Sequence, residues 1–172
     1  VSLRDLDLRP ATSRADLLRM VAETAAKLPQ SACSNARGWS SESWPDTRIP
    51  NADEIDRAAG GRPALLVRMD GHMLVAGRSA LNAANITADG PSDPAGGKIS
   101  RDNEGVPDGA LYDEAMTLLD DVLPEIGADE SVALMRETLR LLNQNGITQV
   151  GAIEDRWWLS EILLPFDEAG EL

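Results

Sequence analysis

Two short apolar runs face each other across one glycine turn. Residues 63–69 are largely apolar, Asp70-Gly71 follows, and residues 72–76 resume the apolar character. Apolar runs of roughly four to eight residues bounded by turn signals read as buried strands. Glycine supplies the left-handed backbone that a tight return needs. The pair therefore commits the chain to a sheet-containing fold. At the turn stands His72, the only histidine among 172 residues. A catalytic zinc takes about three protein ligands, commonly including several histidines. One imidazole among scattered carboxylates does not supply that set.

Upstream, Leu3-Arg4-Asp5-Leu6-Asp7-Leu8 alternates and predicts an edge strand closed by Pro10. Thr12 or Ser13 can cap a helix that places Leu18, Val21, Ala22, Ala25 and Leu28 on one face and stops at Pro29. Residues 30–51 are rich in Ser, Gly and Pro and read as a loop carrying Trp39 and Trp44. A short helix is expected over residues 52–59, ending at Gly60-Gly61, and another over 79–84. Residues 89–97 read as loop, 98–101 as strand, Asn103-Glu104-Gly105 as turn and Val106 as the start of the return. Residues 111–123 have helical spacing.

Beyond this point the rhythm changes. Asp129 and Glu130 suit the positive end of a helix whose Val132, Met135, Leu139 and Leu142 make one stripe, stopped by Asn145-Gly146. A strand is expected over residues 147–150, and helix, glycine stop and strand make the αβ half of a βαβ unit. Residues 156–169 are helical in parts, with Pro165 kinking or ending them. The organisation expected is an α+β region over residues 1–126 and a helix-strand-helix unit over 127–172.

The formal charge of −13 argues against nucleic acid and against anionic membranes, since the arginines are dispersed among acids. No run approaches the ~20 apolar residues of a membrane span. Cys33 stands alone, which rules out an intramolecular disulfide and a cysteine zinc cluster and fits a reducing compartment such as the cytoplasm. No signal-peptide pattern opens the chain, and it starts at Val1 rather than Met, so excision from something longer is expected.

Several strings occur together in a distinctive order: Asp7-Leu8-Arg9-Pro10-Ala11-Thr12-Ser13, Arg37-Gly38-Trp39, Trp44-Pro45-Asp46, and Asp70-Gly71-His72 with Ser79-Ala80-Leu81. They continue with Gly96-Gly97-Lys98-Ile99, Arg101-Asp102 with Gly105, Gly109-Ala110-Leu111-Tyr112, and Leu142-Asn143 with Gly146-Ile147-Thr148. The ordered set resembles the amidohydrolase-3 (YtcJ-like) branch of the metal-dependent amidohydrolase superfamily. The chain departs from it at Gly77, where Asn is usual, and at Asp108, where Thr or Ser is common.

The resemblance implies α+β / α/β architecture: a fragment of a (β/α)8 barrel with a small α+β insert after the first barrel strand. It implies hydrolysis of small amide-type substrates, or related C–N bonds, with water activated by a divalent metal such as zinc. The family's metal ligands would lie before Val1 and beyond Leu172, so no metal and no catalytic residue is assigned within this chain. A full barrel needs ~250 residues, which agrees with a fragment.

Four residues are candidates for substrate binding. His72 can face the site's mouth, held by Asp70, or simply be satisfied by a backbone carbonyl. Trp39 can line an apolar wall, or pin its long loop together with Trp44. Glu154 follows the expected strand and would lie on a barrel's catalytic face, or be an ordinary acid at a helix start. Arg101-Asp102 reads as a hairpin tip, and Gly96-Gly97 lacks the features of a phosphate loop. Self-association through residues 156–169 is expected from Trp157, Trp158, Ile162, Leu163 and Phe166. Two rival readings are a non-catalytic acidic α+β module that binds a protein partner, and a small hydrolase using the Asp70 or Glu154 carboxylate.

Overall fold

The computed structural model describes residues 5–29, 32–123, 127–151 and 156–172. The chain divides into two units, Val1–Pro124 and Glu125–Leu172. In the first, six strands form one mixed sheet: β1 (Leu6–Asp7), β2 (Ser34–Trp39), β3 (Ala64–Arg68), β4 (Met73–Ala76), β5 (Gly97–Arg101) and β6 (Pro107–Asp113). Their order across the sheet is β1-β2-β3-β4-β6-β5. β1, β2 and β3 run parallel, and every later pairing is antiparallel. Parallel neighbours need a crossover, here supplied by α1 (Arg14–Ala25) and α2 (Ala52–Ala58).

Alternation along the strands sorts their side chains to two faces. Ala36, Leu66 and Val75 join Leu17 and Val21 of α1 and Ile55 of α2 in one core. Leu65, Leu74, Ile99 and Leu111 join Leu81 of α3 (Arg78–Ala83) and Leu119 of a 3-10 segment (Glu114–Val122) in the other. The hairpin expected at Asp70-Gly71 is present, with Leu66 opposite Val75 and Gly71 at φ 76°. Ser13 caps α1, its Oγ accepting the Asp16 N–H at 3.1 Å. The buried face of that helix is Leu17, Val21 and Ala25 rather than the one centred on Leu18.

Three expectations are corrected. Residues 34–39 are a strand, not loop: Ser34 and Ala36 are buried and Asn35 and Arg37 face the other way. Nothing β-branched marks this segment, and its extended state is imposed by the backbones of β1 and β3 on either side. The helix expected from residue 111 begins only at Glu114, and as a 3-10 turn, because Leu111 is captured by the ladder opposite Leu74 and Ile99. Residues 147–150 are not a strand, and Ile147 and Val150 are 42% and 59% exposed. A strand needs a neighbour to take its N–H and C=O groups, and no described strand pairs with these.

Helix ends are secured by long-range polar contacts. The Arg62 guanidinium donates to the Leu28 and Pro29 carbonyls (both 3.2 Å) and to the Ala59 carbonyl (3.0 Å), tying the turn after α1 to the C-terminal end of α2. Gly77 has no side chain to cap α3, and Asp56 of α2 does so instead, accepting the Ser79 N–H at 2.8 Å. A Cβ at Gly77 would sit 3.3 Å from Ile55 Cγ2, so the glycine keeps α2 and α3 close. Asp108 fills its place in β6 by accepting the Ser100 hydroxyl at 2.6 Å.

Arg14 of α1 pairs with Glu54 of α2, with both side chains about four-fifths shielded. Burial pulls the Glu54 carboxyl upward, but hydrogen bonds from Arg14 and the Asn51 N–H outweigh it and hold the group below its ordinary range. A depressed carboxylate stabilises the fold above its unfolded pKa and loses that contribution as pH falls through the folded one. Glu54→Gln keeps the amide-compatible cap and removes the charge. It should cost about 1 kcal/mol near neutral pH. Urea titrations should show that difference vanish below the carboxylate range, where the native Glu54 is itself protonated.

The second unit contains α4 (Ala128–Gln144), α5 (Arg156–Trp158), a π turn (Leu159–Leu163) and α6 (Leu164–Glu168). Pro165 lacks the N–H of a regular helix and crowds the preceding turn, which accounts for the widened π geometry before it. Ile162 and Phe166 are buried, and Arg136 lies 5.4 Å over the Phe166 ring while bonding Glu171 at 2.9 Å. The α4 stripe of Val132, Met135, Leu139 and Leu142 is only half-buried, and Trp157, Leu159 and Leu164 are close to half exposed. Among the described residues no helix is long and apolar enough to cross a membrane.

Candidate functional site

On the second sheet face, α3 and the 3-10 segment cover the antiparallel strands but stop short of β1 and β2. A cavity of 580 Å³ remains there. Leu65, Val67 and Leu74 form its apolar floor and Met116 and Leu119 a wall. Arg37 of β2 lines it too, and among the described residues its guanidinium has no hydrogen-bond or ion-pair partner. Asp120 lines the wall, where burial, and then the charge of Asp121, push its carboxyl up. The combination suits a small molecule with an apolar body and a few polar points.

His72 lies at the cavity's edge, just before β4. The ladder sets its partner: Met73 is opposite Tyr112, so His72 meets Asp113, whose N–H donates to the His72 carbonyl at 3.2 Å. The imidazole Nδ1 is 3.0 Å from Asp113 Oδ1. Asp70 does not hold the ring. Its carboxylate accepts from Arg68 Nε at 3.0 Å and from the His72 backbone N–H at 3.2 Å, which shapes the turn. The Arg68 guanidinium, assisted by that N–H and opposed by slight burial, keeps the Asp70 carboxyl below its usual range.

Trp39 does not line the cavity. It is 1% exposed, its Nε1–H donates to the Leu66 carbonyl at 2.9 Å, and its ring lies 6.1 Å from that of Trp44. Trp44 in turn donates to the Ala11 carbonyl at 3.0 Å, tying the loop after β2 to the start of α1. Glu154 lies outside the described residues. Arg101 grips the carbonyls of Thr87, Pro91 and Gly105 at 2.6–2.8 Å, and Asp102 accepts the Glu104 and Val106 N–H groups. Both residues are thereby committed to loop structure.

Of the candidate residues that are described, only His72 lines the cavity, while Asp70 belongs to the turn. The lining also includes Asp113 and Arg37, which the sequence pattern does not single out as candidates. Asp113 was findable only through the β4–β6 register, which the helical reading of residues 111–123 concealed. Among the described residues no three His, Cys, Asp or Glu side chains converge as metal ligands. Among the described residues the donor set therefore falls short of the roughly three protein ligands that a catalytic zinc takes.

A model of the amidohydrolase family matches residues 1–163. The chain is 29% identical over 150 residues to Protein LONG AFTER FAR-RED 3 of Arabidopsis thaliana, covering 87% of this chain and 25% of that protein. It is 28% identical over 160 residues to YtcJ of Bacillus subtilis (strain 168), covering 93% and 30%. Among solved structures, uncharacterised metal-dependent hydrolases from Pyrococcus horikoshii OT3 and Pyrococcus furiosus align with TM-scores of 0.61 and 0.56. Each is 19% identical and covers 99% of this chain and 32% of its own, a likeness of fold. The chain therefore spans between a quarter and a third of the length of the relatives it matches.

Proposed function

Because this chain belongs to the amidohydrolase-3 branch of the amidohydrolase family, we propose that it forms the substrate-shaping part of a metal-dependent hydrolase acting on amide or related C–N bonds. The observation that carries the reading is the family match over residues 1–163, which takes in every residue lining the cavity. In this reading the first unit is the α+β insert, α4 begins a (β/α)8 barrel unit, and the cavity receives part of the substrate. A bound metal such as zinc would bring its water to a pKa of ~7. In this reading its ligands come from residues other than those described, among which no three donor side chains converge. Arg37, His72 and the apolar floor then orient the substrate without performing the bond cleavage.

Two measurements on the purified chain test this. Elemental analysis after exposure to zinc and dialysis should find well under one equivalent of metal. Hydrolysis of simple amides should stay at the background rate. Stoichiometric zinc that survives dialysis, or amide turnover at enzymatic rates in a contaminant-free sample, would overturn the proposal.

A further inference from the structure

We propose that Asp113 is a positioning residue for His72. It fixes the imidazole as the Nδ1–H tautomer, so that Nε2 offers the cavity an acceptor for a ligand's N–H or O–H. The ligand half of this inference rests on the cavity being the substrate-facing surface proposed above; the tautomer half does not.

The geometry carries the argument. Nδ1 lies 3.0 Å from Asp113 Oδ1, and an ionised carboxylate only accepts hydrogen bonds. The proton in that contact must therefore sit on Nδ1, and a neutral ring then keeps its lone pair on Nε2. Asp70, two residues away, is engaged instead by Arg68 and the turn's N–H. The imidazole is thus held on one side and open on the other, three-quarters exposed at the cavity edge.

The backbone supplies an independent sign. Asp113 sits at φ 48° and ψ −125°, a conformation that glycine adopts freely and that other residues avoid. It is kept there because its N–H bonds His72, because it pairs with Gly97 across the ladder, and because the chain must turn sharply into the 3-10 segment. Glycine would serve the turn better. A side chain held at local cost, with its carboxylate on the only histidine, is explained by what that carboxylate does to the ring.

A chain with one histidine makes the test direct, since every imidazole nitrogen signal belongs to His72. With 15N-labelled histidine, at alkaline pH, Nδ1 should show a protonated, pyrrole-type shift and Nε2 a pyridine-type shift. Asp113→Gly should abolish that polarisation while leaving the thermal midpoint unchanged or higher, since it relieves the backbone. Asp113→Asn, whose side-chain carbonyl still accepts Nδ1–H, should restore part of it. Hexanamide, an apolar chain bearing amide N–H donors, should move the Nε2 signal in the parent protein and far less in Asp113→Gly. The proposal fails if the parent ring already shows an Nε2–H tautomer, if Asp113→Gly lowers the midpoint, or if hexanamide leaves Nε2 unmoved. None of these signals depends on metal content or amide turnover, so this failure and that of the preceding proposal are told apart.

Discussion

Gly97→Ala is expected to be among the most damaging single-methyl changes this fold can suffer, costing about 3 kcal/mol. A Cβ at Gly97 would lie 2.2 Å from the Ala115 nitrogen, 2.8 Å from the Glu114 carbonyl carbon and 3.1 Å from Ala115 Cα. All three are backbone atoms, so no rotamer change relieves the overlap. The first strand residue of β5 lies under the chain where Asp113 turns it into the 3-10 segment, and only a hydrogen fits between them. Accommodating a methyl means lifting that segment from the sheet, which strips cover from Ile99, Leu111 and Leu119 and opens the cavity wall. Gly71→Ala is the control. It also meets a positive φ of 76°, but nothing lies within 4 Å of its Cβ, so it should cost only about 1–2 kcal/mol of local strain. Urea midpoints for the two variants, followed by tryptophan fluorescence, should separate clearly. Equal midpoints would mean that the 3-10 segment does not press on β5 as the structure has it.

The same region shows why parts of this protein are legible in its sequence and parts are not. The β3–β4 hairpin announces itself because burial and turn chemistry coincide within residues 63–76. Ser13 and Gly60-Gly61 likewise mark helix ends with local chemistry. β2 gives no such notice. Ser34, Asn35, Ala36, Arg37 and Gly38 have poor strand propensity, and only the neighbouring backbones make them a strand. Residues 111–123 carry a helix-like spacing whose first part is claimed by cross-strand partners that lie far away in sequence. The site inherits this division. His72 could be singled out at the end of a readable turn, but its partner is 41 residues distant, inside the segment whose type was misread. Arg37 was hidden for a similar reason: a side chain can be assigned to a sheet face only once its strand is known.

Trp39→Ala should destabilise the first unit by about 4 kcal/mol, within the range seen when a large buried aromatic is truncated. The ring is 1% exposed and belongs to the core cluster of Ala36, Leu66 and Trp44. Its loss also removes the donor to the Leu66 carbonyl and the ring contact that anchors Trp44, and through Trp44 the loop reaching back to Ala11. Trp39→Phe separates these effects. It retains most of the apolar contact but not the indole N–H, so about 1–2 kcal/mol should be lost through one unmet buried carbonyl and a smaller ring. The two variants should fall in that order in urea midpoint, and the near-UV circular dichroism of the Trp39–Trp44 pair should collapse in both. A residue lining the ligand cavity would behave oppositely, with little change in midpoint and a marked loss of hexanamide response at His72. Trp39→Ala leaving the midpoint in place would move this ring out of the core, whereas a large midpoint loss with the hexanamide response at His72 retained in Trp39→Phe would keep it there.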